Sequence, residues 1–329
     1  MLTFRSRGDP SRSPGQERQP EVLVFKRITL FLLTNLAVVV LLGLIMQLVG
    51  LSGFVDPRRF NYGPLLAMAA LAGFGGSFVS LLLSKWMAKM STGAQVIAAP
   101  RNSREAWLLQ VVQKQAAQAG IGMPEVAVYD SPQPNAFATG ATRNNALVAV
   151  STGLLNNMDD SEVEAVLGHE ISHVANGDMV TLTLLQGVLN TFVFFFARIF
   201  ASVIDSALRS RDEEDNRGSS GIGYFITVFV LEMVLGLFAT LIVMAFSRYR
   251  EYRADAGGAN LAGRRNMIAA LRRLSGETEG ADLPKGLAAF GISGGLVGLF
   301  SSHPPMAERI RRLQEMQAPG VAGSRAAAL

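Results

Sequence analysis

Two stretches of this 329-residue chain, Ile28 to Val49 and Pro64 to Leu83, carry no charge at all over about 20 residues each. Hydrocarbon offers no partners for free backbone groups, so segments this long and apolar are satisfied only as helices that cross a bilayer. Two further stretches, Met179 to about Ser202 and Ile222 to Phe246, are long enough but less clean: Gln186, Asn190 and Arg198 interrupt the first, and Glu232 the second. Composition agrees, since 49% hydrophobic against 17% charged residues is too apolar for a soluble chain of this length. A carboxylate and a guanidinium inside such spans need partners. Arg198 and Glu232 are expected to pair across the last two spans, with Asn190 or Gln186 as alternative partners for the acid and a shallow, hydrated hairpin as the other reading.

Residues 1–25 are rich in Arg, Ser, Pro and Gln without apolar periodicity and read as a disordered tail. Asp9, Glu17 and Glu21 argue against a transit peptide, and the first apolar run is too long for a cleaved signal core, so a retained anchor is expected. Lys26 and Arg27, Lys85 and Lys89, and Arg248, Arg250 and Arg253 all flank the spans on one side, which by the positive-inside rule is the cytoplasm. The net charge of +4 arises from these flanks and the basic C-terminal helix, and no basic-aromatic pattern points to nucleic acid.

Only three histidines are present, and two of them fall in His169-Glu170-Ile171-Ser172-His173. On a helix this spacing puts both imidazoles on one face, one turn apart, with Glu170 one step round: a zinc site with a base beside it. Two solvated helix histidines are the bland alternative. The chain has no cysteine, which excludes disulfides and thiolate ligation and leaves His, Asp and Glu to hold the metal.

The stretch from Lys85 to Asp178 reads as a soluble block. Asn102 with Glu105 opens a helix that stops at Gly120, and Ser161 with Glu164 suggests a capping box for the zinc helix, whose apolar stripe is Val163, Val166, Leu167, Ile171 and Val174. Strands are expected at Glu125 to Tyr129 and Ala146 to Ser151, with Asn135 to Thr139 between them and a turn at Arg143 to Asn145. A catalytic zinc takes three protein ligands, and no third histidine follows in the same segment, where Asn176 and Met179 stand. The candidates are His303 and the carboxylates. Topology favours Glu251, because the zinc helix runs into the third span and the fourth returns the chain to the same face. Asp255, one turn beyond Glu251, is placed to hold the free nitrogen of a ligating imidazole. A solvated cluster balancing the neighbouring arginines is the alternative for both acids.

The zinc motif with Asn176-Gly177-Asp178-Met179, Asn135 to Gly140, Ser247 to Asp255, and His303-Pro304-Pro305 with Arg309 together resemble the HtpX family of membrane zinc metalloproteases, over about Ile28 to Gln314. That resemblance implies one zinc per chain on His169, His173 and Glu251, in a bacterial inner-membrane, multi-pass endopeptidase of stress-linked quality control. Its site faces the cytoplasm, and its substrates are membrane or unfolded polypeptides. The tail before about Val22 departs from the family pattern.

In this scheme Glu170 is the general base and His303 the donor to the developing oxyanion, with a structural histidine before two prolines as the alternative. Arg309 is a weaker candidate that faces solvent with Arg311 and Arg312 in the bland reading. Asn135 and the Ala136 backbone are candidate substrate contacts, on a strand edge that pairs with an extended peptide; the other reading is a buried strand with Phe137 in the core.

The expected fold is therefore a mostly α membrane protein of four transmembrane helices with a cytoplasmic α+β zincin-like metalloprotease domain. Residues 26–84 form a two-helix anchor, 85–178 the first part of the protease domain, 179–246 a transmembrane hairpin, and 247–329 the second part with the third ligand. Two other functions fit parts of the pattern: a CAAX prenyl protease-like peptidase, disfavoured by only four spans, and a non-catalytic zinc-containing membrane adaptor, disfavoured by an intact Glu170. Neither a cleavage sequence nor an oligomeric state is written in these residues.

Overall fold

The computed structural model describes residues 62–209, 220–278 and 301–316. The expected tail, the first span and most of the loop between the last two spans lie outside the described residues. The chain divides into two compact units, Met1–Leu66 and Ala67–Leu329, and of the first only the opening turn of a helix is described. That helix, α1 (Tyr62–Thr92), is followed by β1 (Gln95–Val96), α2 (Ser103–Ala119), β2 (Glu125–Tyr129), β3 (Ala136–Thr142) and β4 (Asn145–Ser151). Then come α3 (Thr152–Asn157), α4 (Asp160–Asn176), α5 (Asp178–Arg209), α6 (Ser220–Ala262), α7 (Arg264–Thr278) and α8 (Met306–Glu315).

Among the described residues three helices, α1, α5 and α6, are long and apolar enough to cross a membrane. Their outer surfaces show it. On α6, Phe225, Phe229, Met233, Leu237 and Phe238 are exposed, and the exposed apolar stripe runs from Phe225 to Ile242. At the α-helical rise that stripe is about 26 Å long, close to the hydrocarbon thickness of a bilayer. The 43-residue α6 does not stop there but continues unbroken past Glu251.

The rest of the second unit is a four-stranded sheet with helices on it, in the order β1-β2-β4-β3. β4 pairs in parallel with β2 and antiparallel with β3, so β3 is an edge strand. Strand side chains alternate between faces. Val148 and Val150 of β4 thus join Leu108 and Val112 of α2, Leu167 and Ile171 of α4 and Leu271 of α7 in the main core, while Leu147 and Ala149 face Ala127, Tyr129 and Phe137 on the other side. Phe137 is only half-buried, tilted against Tyr129, so it covers the outer face of the sheet rather than the main core.

The helix that carries His169 and His173, α4, forms where the stripe predicts but starts earlier than expected. Asp159, not Ser161, is the cap: its carboxylate accepts from the Glu162 backbone N–H while Glu162 reaches back to Asp159 N–H. Ser161 instead donates its hydroxyl to Asp159. The helix ends at Gly177, whose φ of 68° is the left-handed region open to glycine, and α5 starts at the next residue in a new direction.

Candidate metal centre

His169 and His173 lie off the apolar stripe of α4, yet both are buried, because α6 crosses that face. The crossing is close because of glycine: a Cβ at Gly257 would sit 2.6 Å from Ser172 Cβ. This brings Glu251, only 1% exposed, against the imidazoles. Glu251 Oε1 is 3.2 Å from His173 Nε2, Glu251 Oε2 is 3.4 Å from His169 Nε2, and the two Nε2 atoms are 3.1 Å apart. One ligand atom from each of the three residues lies within 4.8 Å of the others.

The outer nitrogens are held by carboxylates. His173 Nδ1 is 2.7 Å from Asp178 Oδ2, and His169 Nδ1 is 3.0 Å from Asp255 Oδ1, close but not aligned for a hydrogen bond. Carboxylates in these places favour the proton on Nδ1 and turn the Nε2 lone pairs inward. Inward lone pairs facing a carboxylate repel one another unless a cation, a proton or a metal, lies between them, and Glu251 Oε2 is buried without an aligned hydrogen-bond donor. The donor set of nitrogen and oxygen thus fits a divalent metal such as zinc.

Electrostatics shows the same crowding. Burial pushes both imidazoles down, but Asp255 and Glu251 beside His169, and Asp178 and Glu251 beside His173, outweigh it, raising His173 to about 9. Burial pushes Glu251 up, yet His169, His173 and His303 together hold it far below the usual carboxylate range. Asp255 is also held low against burial, by Arg309 and then His169.

Arg309 does not face solvent with Arg311 and Arg312. It is 4% exposed and grips Asp255 with Nε at 2.8 Å and Nη2 at 2.6 Å, so burial of its charge is offset by a two-pronged ion pair. Arg311 and Arg312 instead pair with Glu308 on the helix surface. Nor are Glu251 and Asp255 a solvated cluster. Arg250 donates to the Asp178 carbonyl, Arg253 to Asn176, and Arg248 to the Ser301 carbonyl, tying α6 to the α4–α5 turn and to the segment before α8.

A cavity of about 320 Å³ opens beside the triad. Glu170, His303, Asn135 and Ala136 line it together with an apolar floor that includes Leu154, Met267, Leu271, Leu274 and Met306. His303, its side chain 59% exposed, leans over the centre with Nδ1 2.9 Å from Glu251 Oε2. The structure therefore gathers His169, Glu170, His173, Glu251, Asp255, Asn135, Ala136, His303 and Arg309 in one place. The sequence did not assign Asp178 a role, nor pick out Gly257 or the apolar floor; the one local cue was an acid directly after the turn glycine.

A model of peptidase family M48 matches residues 102–317. Protease HtpX of Stenotrophomonas maltophilia (strain R551-3) is 63% identical over 292 residues, covering 88% of this chain and 98% of that protein. Protease HtpX of Xanthomonas axonopodis pv. citri (strain 306) is 63% identical over 295 residues, with the same coverage of 88% and 98%. Among solved structures, Ste24p of S. mikatae shares the fold at a TM-score of 0.56 and 19% identity, over 87% of this chain and 67% of that one. With a family model spanning more than half of its length and relatives matched almost end to end, the chain belongs to peptidase family M48 and is a membrane metalloprotease.

Proposed function

We propose that this metalloprotease is a zinc-dependent endopeptidase that cuts extended stretches of membrane or unfolded proteins at the cytoplasmic face of the bacterial inner membrane. The observation that carries the reading is the convergence of His169, His173 and Glu251 beside a cleft shared by Glu170 and a strand edge that is unpaired among the described residues. His169, His173 and Glu251 would hold the zinc, which would supply Lewis acidity to a scissile carbonyl and to a water. Glu170 is placed to take a proton from a water in the cleft and to hand it to the leaving amine. His303, across the cavity, donates to the oxyanion. Asp178 and Asp255 hold the two imidazoles in orientation, and Arg309 fixes Asp255.

The edge strand supports an extended substrate. Ser151 N–H donates to the Asn135 carbonyl, which makes 135 and 151 a hydrogen-bonded pair of the antiparallel ladder. Such pairs alternate, so Ala136 and Ala138, opposite Val150 and Val148, turn their N–H and C=O groups outward to the free edge. A peptide laid there is held by its backbone, and the apolar floor next to the metal takes one large apolar side chain beside the scissile bond. Lys85, Lys89, Arg248 and Arg253 lie at the same end of the spans as the triad, which supports a cytoplasmic site.

Purified full-length protein, loaded with zinc and given an unstructured reporter, tests this beside Glu170→Gln. The wild type cleaves and stops when the metal is chelated. The variant keeps zinc and loses about 10²- to 10⁴-fold in rate. Unchanged cleavage by the zinc-loaded variant removes Glu170 from the mechanism.

A further inference from the structure

Arg198 Nη1 meets Glu232 Oε1 at 2.7 Å, joining α5 to α6 inside the apolar spans. We propose that this pair is a register lock: it holds the hairpin at the one vertical setting in which Glu251 is level with His169 and His173. Arg198 and Glu232 are then positioning residues for a metal centre they never touch. The proposal rests on the metal-centre reading and extends it into the membrane.

The depth of the pair is the first support. Glu232 lies within the exposed apolar stripe of α6 that runs from Phe225 to Ile242, so it is about 10 Å from one end and about 15 Å from the other. The side chains are 24% and 35% exposed, so the pair sits largely within the hairpin. Neither charge can exchange its partner for water without cost. The arginine head is further fixed by its donation to the Phe194 carbonyl at 3.0 Å and by stacking 3.2 Å over the Phe194 ring.

The second support is the matching of lengths. Arg198 is 20 residues from Asp178 along α5, and Glu232 is 19 residues from Glu251 along α6. Both arms are unbroken helix, and at the α-helical rise each is about 30 Å long. One arm ends on the acid that holds His173, the other on the third metal ligand. Two equal, stiff struts tied at the bottom are therefore level at the top.

The third is that apolar packing sets register only loosely, while the ties from Arg250 to Asp178 and from Arg253 to Asn176 act at the metal-centre end alone. Lipid tails are as apolar as leucine side chains, so burial gives little preference for one helix setting over another, and apolar ridges pack again after a slip of one turn. Gln186 and Asn190 bond to each other along α5 rather than across to α6. A slip of one turn, about 5.4 Å, would carry Glu251 away from the imidazoles. An ion pair in hydrocarbon has one partner and one setting.

The test uses full-length protein in lipid nanodiscs, titrated with zinc and with cobalt, whose absorption reports the ligand geometry. Arg198→Gln and Glu232→Gln, shown by circular dichroism to keep their helices at the assay temperature, should bind metal about tenfold or more weakly, the loss that follows removal of a group orienting a ligand. The cobalt spectrum should change with them. A swapped variant, Arg198→Glu with Glu232→Arg, keeps both charges at the same depth and should restore wild-type affinity and spectrum. Spin labels on cysteines at Thr181 and Tyr249, in a chain without native cysteine, should show a changed distance in the single variants and the native one in the swap. Folded single variants with wild-type affinity and spectrum overturn the lock, and so does a swapped variant that inserts but binds metal no better than they do. A wild type that binds neither metal overturns instead the metal-centre reading beneath it.

Discussion

Asp178 Oδ2 stands 2.7 Å from His173 Nδ1 across the Gly177 turn, so the first residue of one helix orients an imidazole on the helix before it. Asp178→Ala should weaken metal binding about 10- to 100-fold without removing a ligand. Asp178→Asn, whose amide oxygen still accepts from Nδ1–H, should lose less. Equal metal affinity in wild type and Asp178→Ala, measured by competition with a chelating dye, would show that the contact is only structural.

Glu251 and His303 touch each other but should fail differently. Glu251→Gln removes a ligand and should lose the metal. His303→Phe should keep it and slow turnover by about 10²- to 10³-fold, the effect of losing one oxyanion donor. Metal analysis after gel filtration separates them, and the reverse pattern would exchange the two assignments.

The fold raises both imidazoles, so protonated histidine stabilises the metal-free chain. For His173 that contribution is complete below 6.5, the ordinary value, and is lost as pH rises through about 9. Metal needs the neutral imidazole, so its affinity should move the opposite way, rising from pH 6.5 to 9 by about tenfold per unit for each proton displaced. Calorimetric titrations in buffers of different ionisation enthalpy should show the protons released. A pH-independent affinity with no proton release would mean that the histidines are not ligands.

The Gly257 crossing gives a prediction away from the chemistry. Its added Cβ would meet Ser172 at 2.6 Å from Cβ and 2.3 Å from Oγ, so Gly257→Ala must push α6 off α4. A loss of about 1–3 kcal/mol in stability is expected, together with weaker metal binding. Adding Ser172→Gly opens the space and should recover the metal affinity. Gly257→Ala with native stability and metal affinity would mean that the crossing has slack.

What could be read from the sequence was whatever a single physical constraint made local. The shared face of His169 and His173 followed from helical spacing, the approach of Glu251 to them from the return of the chain, and the Arg198–Glu232 contact from the cost of charge in lipid. The rest depends on surroundings that spacing does not encode. Two capping patterns, Asp159 with Glu162 and Ser161 with Glu164, overlap in one segment, and the choice between them belongs to the whole helix. Arg309 looks like its neighbours Arg311 and Arg312 until an acid 54 residues away, buried on another helix, needs a partner. The Gly177 turn breaks the periodicity that would have tied Asp178 to His173, and the tight fit at Gly257 exists only once α4 and α6 have met.

Because Glu251 sits on the same unbroken helix as the last long apolar stretch, trimming that stretch away to obtain a soluble fragment should cost the metal centre. A cut within that helix severs the covalent route by which Glu251 is presented to the two imidazoles. The solubilising medium is thus effectively a reagent. A detergent that lets the hairpin splay should strip the metal as a chelator does, and a preparation that looks inert for want of metal can be one whose bilayer was poorly replaced.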